Sequence, residues 1–387
     1  MKPVILFLDD EERVLKGLQR LLFRKKTEWE MKFCTQPEEV WALLDLQTVD
    51  VAVVDMRMPK MDGIAVLKRI RELQPQCIRI ILSGQSSEEA KYESVDVAHQ
   101  FLAKPCETDR VISTLSRALS LSELIADKAL RELVASLGSL PSAPRIYQAF
   151  ESLVKTDTCT CDEVSLLVSQ DPALCAKLLQ VVNTAFFGLP KEVISIPEAI
   201  NYMGYEKLKS LLLVTELLQQ VDPKILQRFD LDSIWLQGVK AQSIVKAIGS
   251  QIDIKSDELE MINAALMFQG IGELALAIQA PDVYQRVLDH SKAEHLSLID
   301  AEKEVLGASH IQLSAFMLGI WGLPVALQTE LLSLLEVHIP TEDINATLLK
   351  ACALLTSSAD WEVVSEEFTE AGFPPDWLPI AERSLHA

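Results

Sequence analysis

The sequence predicts two folds in tandem: a doubly wound α/β domain over residues 1–120, then an all-α helical domain over residues 138–387. A helical connector over 107–137 joins them and overlaps the last helix of the first domain. Three observations carry this reading. Before residue 120, short apolar runs rich in β-branched residues alternate with amphipathic stretches. After the turn GSLPSAP (138–144) that alternation fades and helical spacing dominates. The length, 387 residues, also exceeds what one ordinary core accommodates.

The strands of the first domain are VILFLD (4–9), MKFCT (31–35), VAVVDM (51–56), RIILSG (79–84) and HQFLAK (99–104). Helical patterns begin near Glu11, Pro37, Gly63, Ser86 and Glu107. Strand–helix alternation implies a parallel sheet covered on both faces, and ligands of such sheets gather beyond the carboxyl ends of the strands. At those ends stand Asp9 and Asp10, Asp55, Ser83, and Lys104 before Pro105. Three converging carboxylates repel one another unless a hard cation such as Mg²⁺ sits among them. With a Lys and a hydroxyl beside them, the group can neutralise and hydrogen-bond a phosphoryl group, and one carboxylate can act as nucleophile and carry an acyl phosphate.

DDEE at 9–12, DMRMPKMDG at 55–63, LSG at 82–84 and FLAKP at 101–105 resemble the response-regulator receiver domain, a flavodoxin-like fold, over about 120 residues. The resemblance implies that Asp55 is the phosphoacceptor and that Asp9, Asp10 and Asp55 hold Mg²⁺, with the Arg57 backbone carbonyl completing its coordination. It also implies that Ser83 and Lys104 bind the phosphoryl oxygens, and that Phe101 is the aromatic that reorients on activation. The phosphodonor it implies is a sensor histidine kinase or phosphotransfer protein.

Residues 107–137 contain no Pro or Gly and are apolar at helical intervals. Two readings follow: a receiver helix that runs on and packs against each domain in turn, or a parallel helix that pairs two chains in a homodimer. The heptad is irregular.

Beyond residue 138, LPSAP (140–144), DPAL (171–174), NTAFFG (183–188), PEAINYMG (197–204) and LGASHIQLSAFMLGIWGLP (306–324) occur in order. Together they resemble the HDOD output domain, an all-helical relative of the HD phosphohydrolases. HD enzymes hold metal with His side chains and an adjacent His-Asp pair, because imidazole and carboxylate bind divalent ions far better than neutral amides do. Here those positions look like Gln237, Gln269 and Gly270. His310 and His338 remain, but two separated imidazoles are a poor cage, and a helix-terminus or core role suits His310 better. The HHExxDGxGYP-type signature of cyclic-di-GMP hydrolases is absent. The resemblance therefore implies a non-catalytic signalling and interaction module acting on a downstream protein. The competing readings are a receiver-gated metal-dependent phosphohydrolase and an emptied pocket that senses a nucleotide.

Composition narrows the partners. A net charge of −20 opposes any sequence-independent grip on nucleic acid, and Lys207 and Lys209, interleaved with Leu, read as a solvated helix face. Seven scattered cysteines (34, 77, 106, 159, 161, 175, 352) suggest free thiols in a reducing cytoplasm, and the lone C-x-C at 159–161 lacks a second ligand pair for zinc. The N-terminus reaches Asp9 too soon for a signal peptide, and no apolar stretch is expected to approach the ~20 residues of a membrane span.

Overall fold

The computed structural model describes residues 2–59, 61–84, 97–121, 124–136, 161–184, 191–204, 221–336, 343–357 and 361–386, with residues 140, 146, 149, 189, 207 and 208 between them. The helical pattern beginning at Ser86, the boundary at 138, Cys159, Lys209 and His338 lie outside the described residues.

Five strands, β1 (Val4–Leu8), β2 (Glu30–Cys34), β3 (Val51–Asp55), β4 (Ile78–Ser83) and β5 (Gln100–Ala103), form one parallel sheet in the order β2-β1-β3-β4-β5. Every residue of β1, β3 and β4 is buried, as expected of strands sandwiched between helical layers. Helices α1 (Glu12–Leu21), α2 (Pro37–Leu46), α3 (Gly63–Leu73) and α4 (Thr108–Ser120) flank the sheet. Each turns an apolar stripe inward, such as Leu15 and Leu18 of α1, or Val111, Leu115 and Ala118 of α4.

The connector is not one helix. After α4 the described residues 124–127 are not helical, and the chain resumes as α5 (Lys128–Ser136). No Pro or Gly marks this break; tertiary contacts impose it. Leu121 and Ile125 are buried, the Gln312 amide donates to the Leu124 carbonyl, and the Asp127 carboxylate accepts the Leu130 N–H at the start of α5. At its other end the carbonyl of Ala135 accepts from the guanidinium of Arg79, a residue of β4 that is wholly buried. A cation at a helix C-terminus suits the helix dipole, so α5 folds back onto the receiver.

Among the described residues the elements that follow are helices: α6 (Cys161–Val168), α7 (Pro172–Val182), α8 (Ile196–Met203), α9 (Pro223–Arg228), α10 (Leu231–Gly249), α11 (Ser256–Phe268), α12 (Ile271–Gln279), α13 (Pro281–Glu294), α14 (Leu298–Leu306), α15 (His310–Ile320), α16 (Val325–Leu332), α17 (Ile344–Leu355), α18 (Trp361–Glu370) and α19 (Trp377–His386). Local sequence explains two of the starts. In DPAL, Asp171 caps α7 by accepting from Ala173 and Leu174 N–H, and Pro172 takes the first helical position, where its missing N–H costs nothing. In SHIQ, Ser309 and Gln312 form a reciprocal capping box that opens α15. The pair α12–α15 packs at the centre, with α10 and α11 beside it.

One expectation from hydropathy does not hold. The run Ser256–Gln279 spans 24 residues, long and apolar enough to cross a membrane, contrary to the sequence reading. It is the core of the helical domain, with 78% of its most apolar window buried, and it is broken at Gln269 and Gly270 between α11 and α12.

Candidate functional site

Parallel register brings the strand ends together. Asp9 and Asp10 follow β1, Asp55 ends β3, Ser83 ends β4 and Lys104 follows β5. One carboxylate oxygen from each of Asp9, Asp10 and Asp55 lies within 4.8 Å of the others. Asp9 and Asp55 are buried while Asp10 is exposed. Lys104 Nζ reaches both buried acids, at 2.6 Å from Asp9 Oδ2 and 2.5 Å from Asp55 Oδ1. The second Asp55 oxygen accepts the Arg57 backbone N–H at 3.0 Å. Burial raises the Asp55 carboxyl above its usual range, against the opposing pull of Lys104. Burial likewise lowers the Lys104 ammonium, but its hydrogen bonds to Asp55 and Asp9 outweigh this, and its pKa is raised. Ser83 is buried beside them, with Oγ 3.5 Å from Met56 Sδ.

Three close carboxylate oxygens, with one acid open to solvent, are a donor set suited to a hard divalent cation, and the residues present fit Mg²⁺. A bound Mg²⁺ would supply neutralisation of these carboxylates and of an incoming phosphoryl group.

Gly63 carries no role in the sequence reading, although it closes one of the receiver motifs. A Cβ there would collide with the Asp55 carbonyl oxygen, and the Gly63 N–H donates to the Met56 carbonyl. The start of α3, capped by Asp62, therefore presses directly on the backbone that presents Asp55. The missing side chain at this point of contact is what lets the loop after β3 close.

Phe101 is buried in β5 and lines a cleft of about 440 Å³ between receiver and helical domain. Its neighbour Gln100 donates from Nε2 to the carbonyls of Gly319 (3.0 Å) and Ile320 (3.2 Å) in the last turn of α15, where the Gly319 carbonyl also accepts the Gly322 N–H. In the reverse direction, Gln180 of α7 donates to the His99 carbonyl at 3.0 Å. Arg117 of α4 meets Glu192 at 3.2 Å across the mouth of the cleft. A methyl group at Gly319 would collide with Leu121, so α15 also packs tightly on the connector. Sequence reasoning missed Gln100, Gln180 and Arg79. A charged Arg within an apolar strand was the one available signal.

The three positions read as lost HD ligands are adjacent in space. A Cβ on Gly270 would lie 3.6 Å from Gln237 Oε1, and Gln269 is buried at the end of α11. Ser314 of α15 links to them, donating to the Gln269 carbonyl and accepting from Gly272 N–H, both at 2.8 Å. His310 stands at the start of α15, and its Nδ1 pairs with the fully buried Glu302 at 2.7 Å. Tyr284 donates to the buried Glu273 at 2.5 Å. Burial works against the charged imidazole, but Glu302 overrides it and His310 is raised to about 9, so an imidazolium forms the centre of this cluster. Among the described residues, Asp9, Asp10 and Asp55 are the one group of three or more potential ligands close enough to share a metal.

A family model for the response regulator receiver domain matches residues 5–116, and one for the HDOD domain matches residues 140–333. Among curated relatives, the hydrogenase transcriptional regulatory protein HoxA of Bradyrhizobium diazoefficiens is 33% identical over 126 residues, 32% of this chain and 25% of that protein. The DNA-binding transcriptional regulator NtrC of Salmonella typhimurium is 32% identical over 123 residues, 31% of this chain and 25% of its own. The chain thus spans about a quarter of the length of these relatives. In fold it resembles the MmoQ response regulator of Methylococcus capsulatus (TM-score 0.51, 23% identity, 64% of this chain and 98% of that one). It also resembles a virulence factor of Campylobacter jejuni (TM-score 0.51, 17% identity, 66% and 100%). With an acidic receiver pocket at one end and this helical region at the other, the chain belongs to the HDOD family and is a response regulator of two-component signalling.

Proposed function

We propose that the chain is phosphorylated on Asp55 by a sensor histidine kinase or phosphotransfer protein, with Mg²⁺ held by Asp9, Asp10, Asp55 and the Arg57 carbonyl, and that the phosphoryl group controls a non-catalytic HDOD interaction module in the cytoplasm. An Asp55 oxygen attacks phosphorus, forming an O–P bond as the bond to the donor breaks. Lys104 is already poised on Asp55 and can follow the charge to the new phosphoryl oxygens, with the Ser83 hydroxyl as a second donor.

The observation that carries the regulatory reading is the Gln100 contact with the end of α15. Phosphorylation adds about two negative charges at the strand ends, and a distant effect needs an element with two arrangements. Gln100 adjoins Phe101, and α15, 11 residues and so about 16 Å long, runs from Gln100 at one end to the Ser314, Gln269 and His310 cluster at the other. A change in β5 that moves Phe101 releases or shifts α15 as a unit.

The non-catalytic reading rests on Gln237, Gln269 and Gly270 at the HD ligand positions and on His310 being engaged by Glu302. Elemental analysis of the full chain is expected to find no stoichiometric transition metal, and cyclic dinucleotides should not be turned over. Two firmly bound transition-metal ions per chain, or steady phosphodiester cleavage abolished by Gln269→Ala, would instead favour the receiver-gated hydrolase.

A further inference from the structure

Charge is divided unevenly along the chain. Residues 1–120 hold 18 Lys or Arg against 19 Asp or Glu, so 19 of the 20 net negative charges fall beyond residue 120. Within the receiver the cations are concentrated again. Arg13, Lys16 and Arg20 recur at helical spacing on the exposed side of α1, and Arg24, Lys25 and Lys26 continue from it in the 3₁₀ turn Phe23–Thr27. Lys16 and Lys25 are paired locally with Glu12 and Glu28; among the described residues, Arg20, Arg24 and Lys26 have no such carboxylate partner.

Beside these cations a groove of about 570 Å³ runs along the outer edge of β2, lined by Trp29, Met31 and Phe33 with Lys2 and Lys26, and by one acid, Glu30, which is paired with Lys32. Phe23 stands at its rim, 59% exposed, with Lys26 Nζ 4.0 Å above its ring. β2 is the outermost strand on the side away from β5, the strand that docks on the helical domain, so this groove lies on the opposite side of the sheet from that junction. An apolar floor within a cationic rim, along an unpaired strand, suits an acidic segment with an apolar anchor.

The chain itself presents such a segment. Helix α18 buries Val364 and Phe368 and exposes Glu366, Glu367 and Glu370 on its other side, with Val363 46% exposed beside them. α18 is held by α17, which packs on α10 and α11; the receiver is held by α15 and α7. The cationic groove and the acidic helix are thus carried by separate parts of the molecule. We propose that they are the two halves of one interface, and that the protein self-associates head to tail, the acidic face of α18 in one copy seating in the α1–β2 groove of the next. Such a contact pairs two different surfaces and, head to tail, leaves one of each free at the ends, so that assembly continues past two copies. A concave, apolar-floored groove favours this occupant over an anionic lipid surface, which a protruding patch would suit better.

Sedimentation of the full chain at about 30 mM and about 0.5 M salt tests this, because exposed charges are screened at the higher value. At low salt the weight-average mass should rise with concentration past twice the 43.1 kDa of one chain, and return to the single-chain mass at high salt. The double variants Arg20→Glu/Arg24→Glu and Glu366→Arg/Glu370→Arg, each checked for unchanged circular dichroism, should stay monomeric alone. An equimolar mixture of the two should recover association, since each supplies the surface the other lacks. A constant monomer at low salt, association that stops at a dimer, or association that either double variant leaves intact would overturn the proposal. So would a monomer that binds phosphatidylserine vesicles through Arg20 and Arg24, which would assign the groove to a membrane surface.

Discussion

Asp55→Asn is expected to reduce Mg²⁺-dependent labelling of the chain by acetyl phosphate to background. The acyl phosphate needs a carboxylate oxygen as nucleophile, and an amide offers none of comparable reactivity. The variant should still fold, because the substituted amide keeps an oxygen able to accept the Arg57 N–H. Only one of the two acids on Lys104 is altered, and Asp9 continues to hold its ammonium. Chelating Mg²⁺ should remove labelling of the unaltered chain to a similar extent, because Asp9, Asp10 and the incoming phosphoryl group would then face one another with only Lys104 to offset them. Robust labelling of Asp55→Asn at another residue would place the acceptor elsewhere.

His310→Ala should destabilise the helical domain by about 3–5 kcal/mol near neutral pH, measured as a shift of its urea midpoint. It removes the imidazolium from a carboxylate, Glu302, that is wholly buried, and an unpaired buried charge is costly. The same pair sets a pH dependence whose sign is fixed by linkage. The folded state raises His310 to about 9 from an ordinary 6.5, so its stabilisation is fully present below about pH 6.5 and is lost as pH rises through about 9. The full difference corresponds to about 3 kcal/mol. Urea midpoints measured from pH 6 to 10 should therefore fall in the original chain and fall much less in His310→Ala. Parallel profiles would show that the imidazole is neutral in the fold.

The receiver was legible because its information is local. Continuous apolar runs marked β1, β3 and β4 to within about a residue, and the chemistry sits at the strand ends, where register alone brings Asp9, Asp55, Ser83 and Lys104 together. What escaped depends on distant partners. Gln100 reads as one polar residue in a strand, and its acceptors lie 219 and 220 residues further on. The non-helical turn at 124–127 has no Pro or Gly to announce it, since it is set by contacts such as that of the Leu124 carbonyl with Gln312. Arg79 and His99 look out of place in apolar strands until the Ala135 carbonyl is seen to gather both side chains; burial beside Arg79 holds His99 well below its usual range, so it stays neutral. In the helical domain, Gln237, Gln269 and Gly270 were visible as departures from a ligand pattern. That Glu302 and His310 form a buried ion pair beside them was not, because Glu302 lies outside every motif and only the fold brings it to His310.

Hydrogen exchange with and without the phosphoryl mimic beryllofluoride tests the central claim most directly, that the receiver acts on the helical domain through β5 and α15. With the mimic bound, exchange is expected to change in β5 and the connector (residues 100–136) and, across the junction, in α15 and the turn that follows it (310–323), while α18 and α19 stay as they were. Gln100→Ala, which removes the side chain reaching Gly319 and Ile320, should uncouple the two, leaving the response in β5 but not in α15. Identical exchange at 310–323 in both states, with the mimic demonstrably bound at Asp55, would contradict the account.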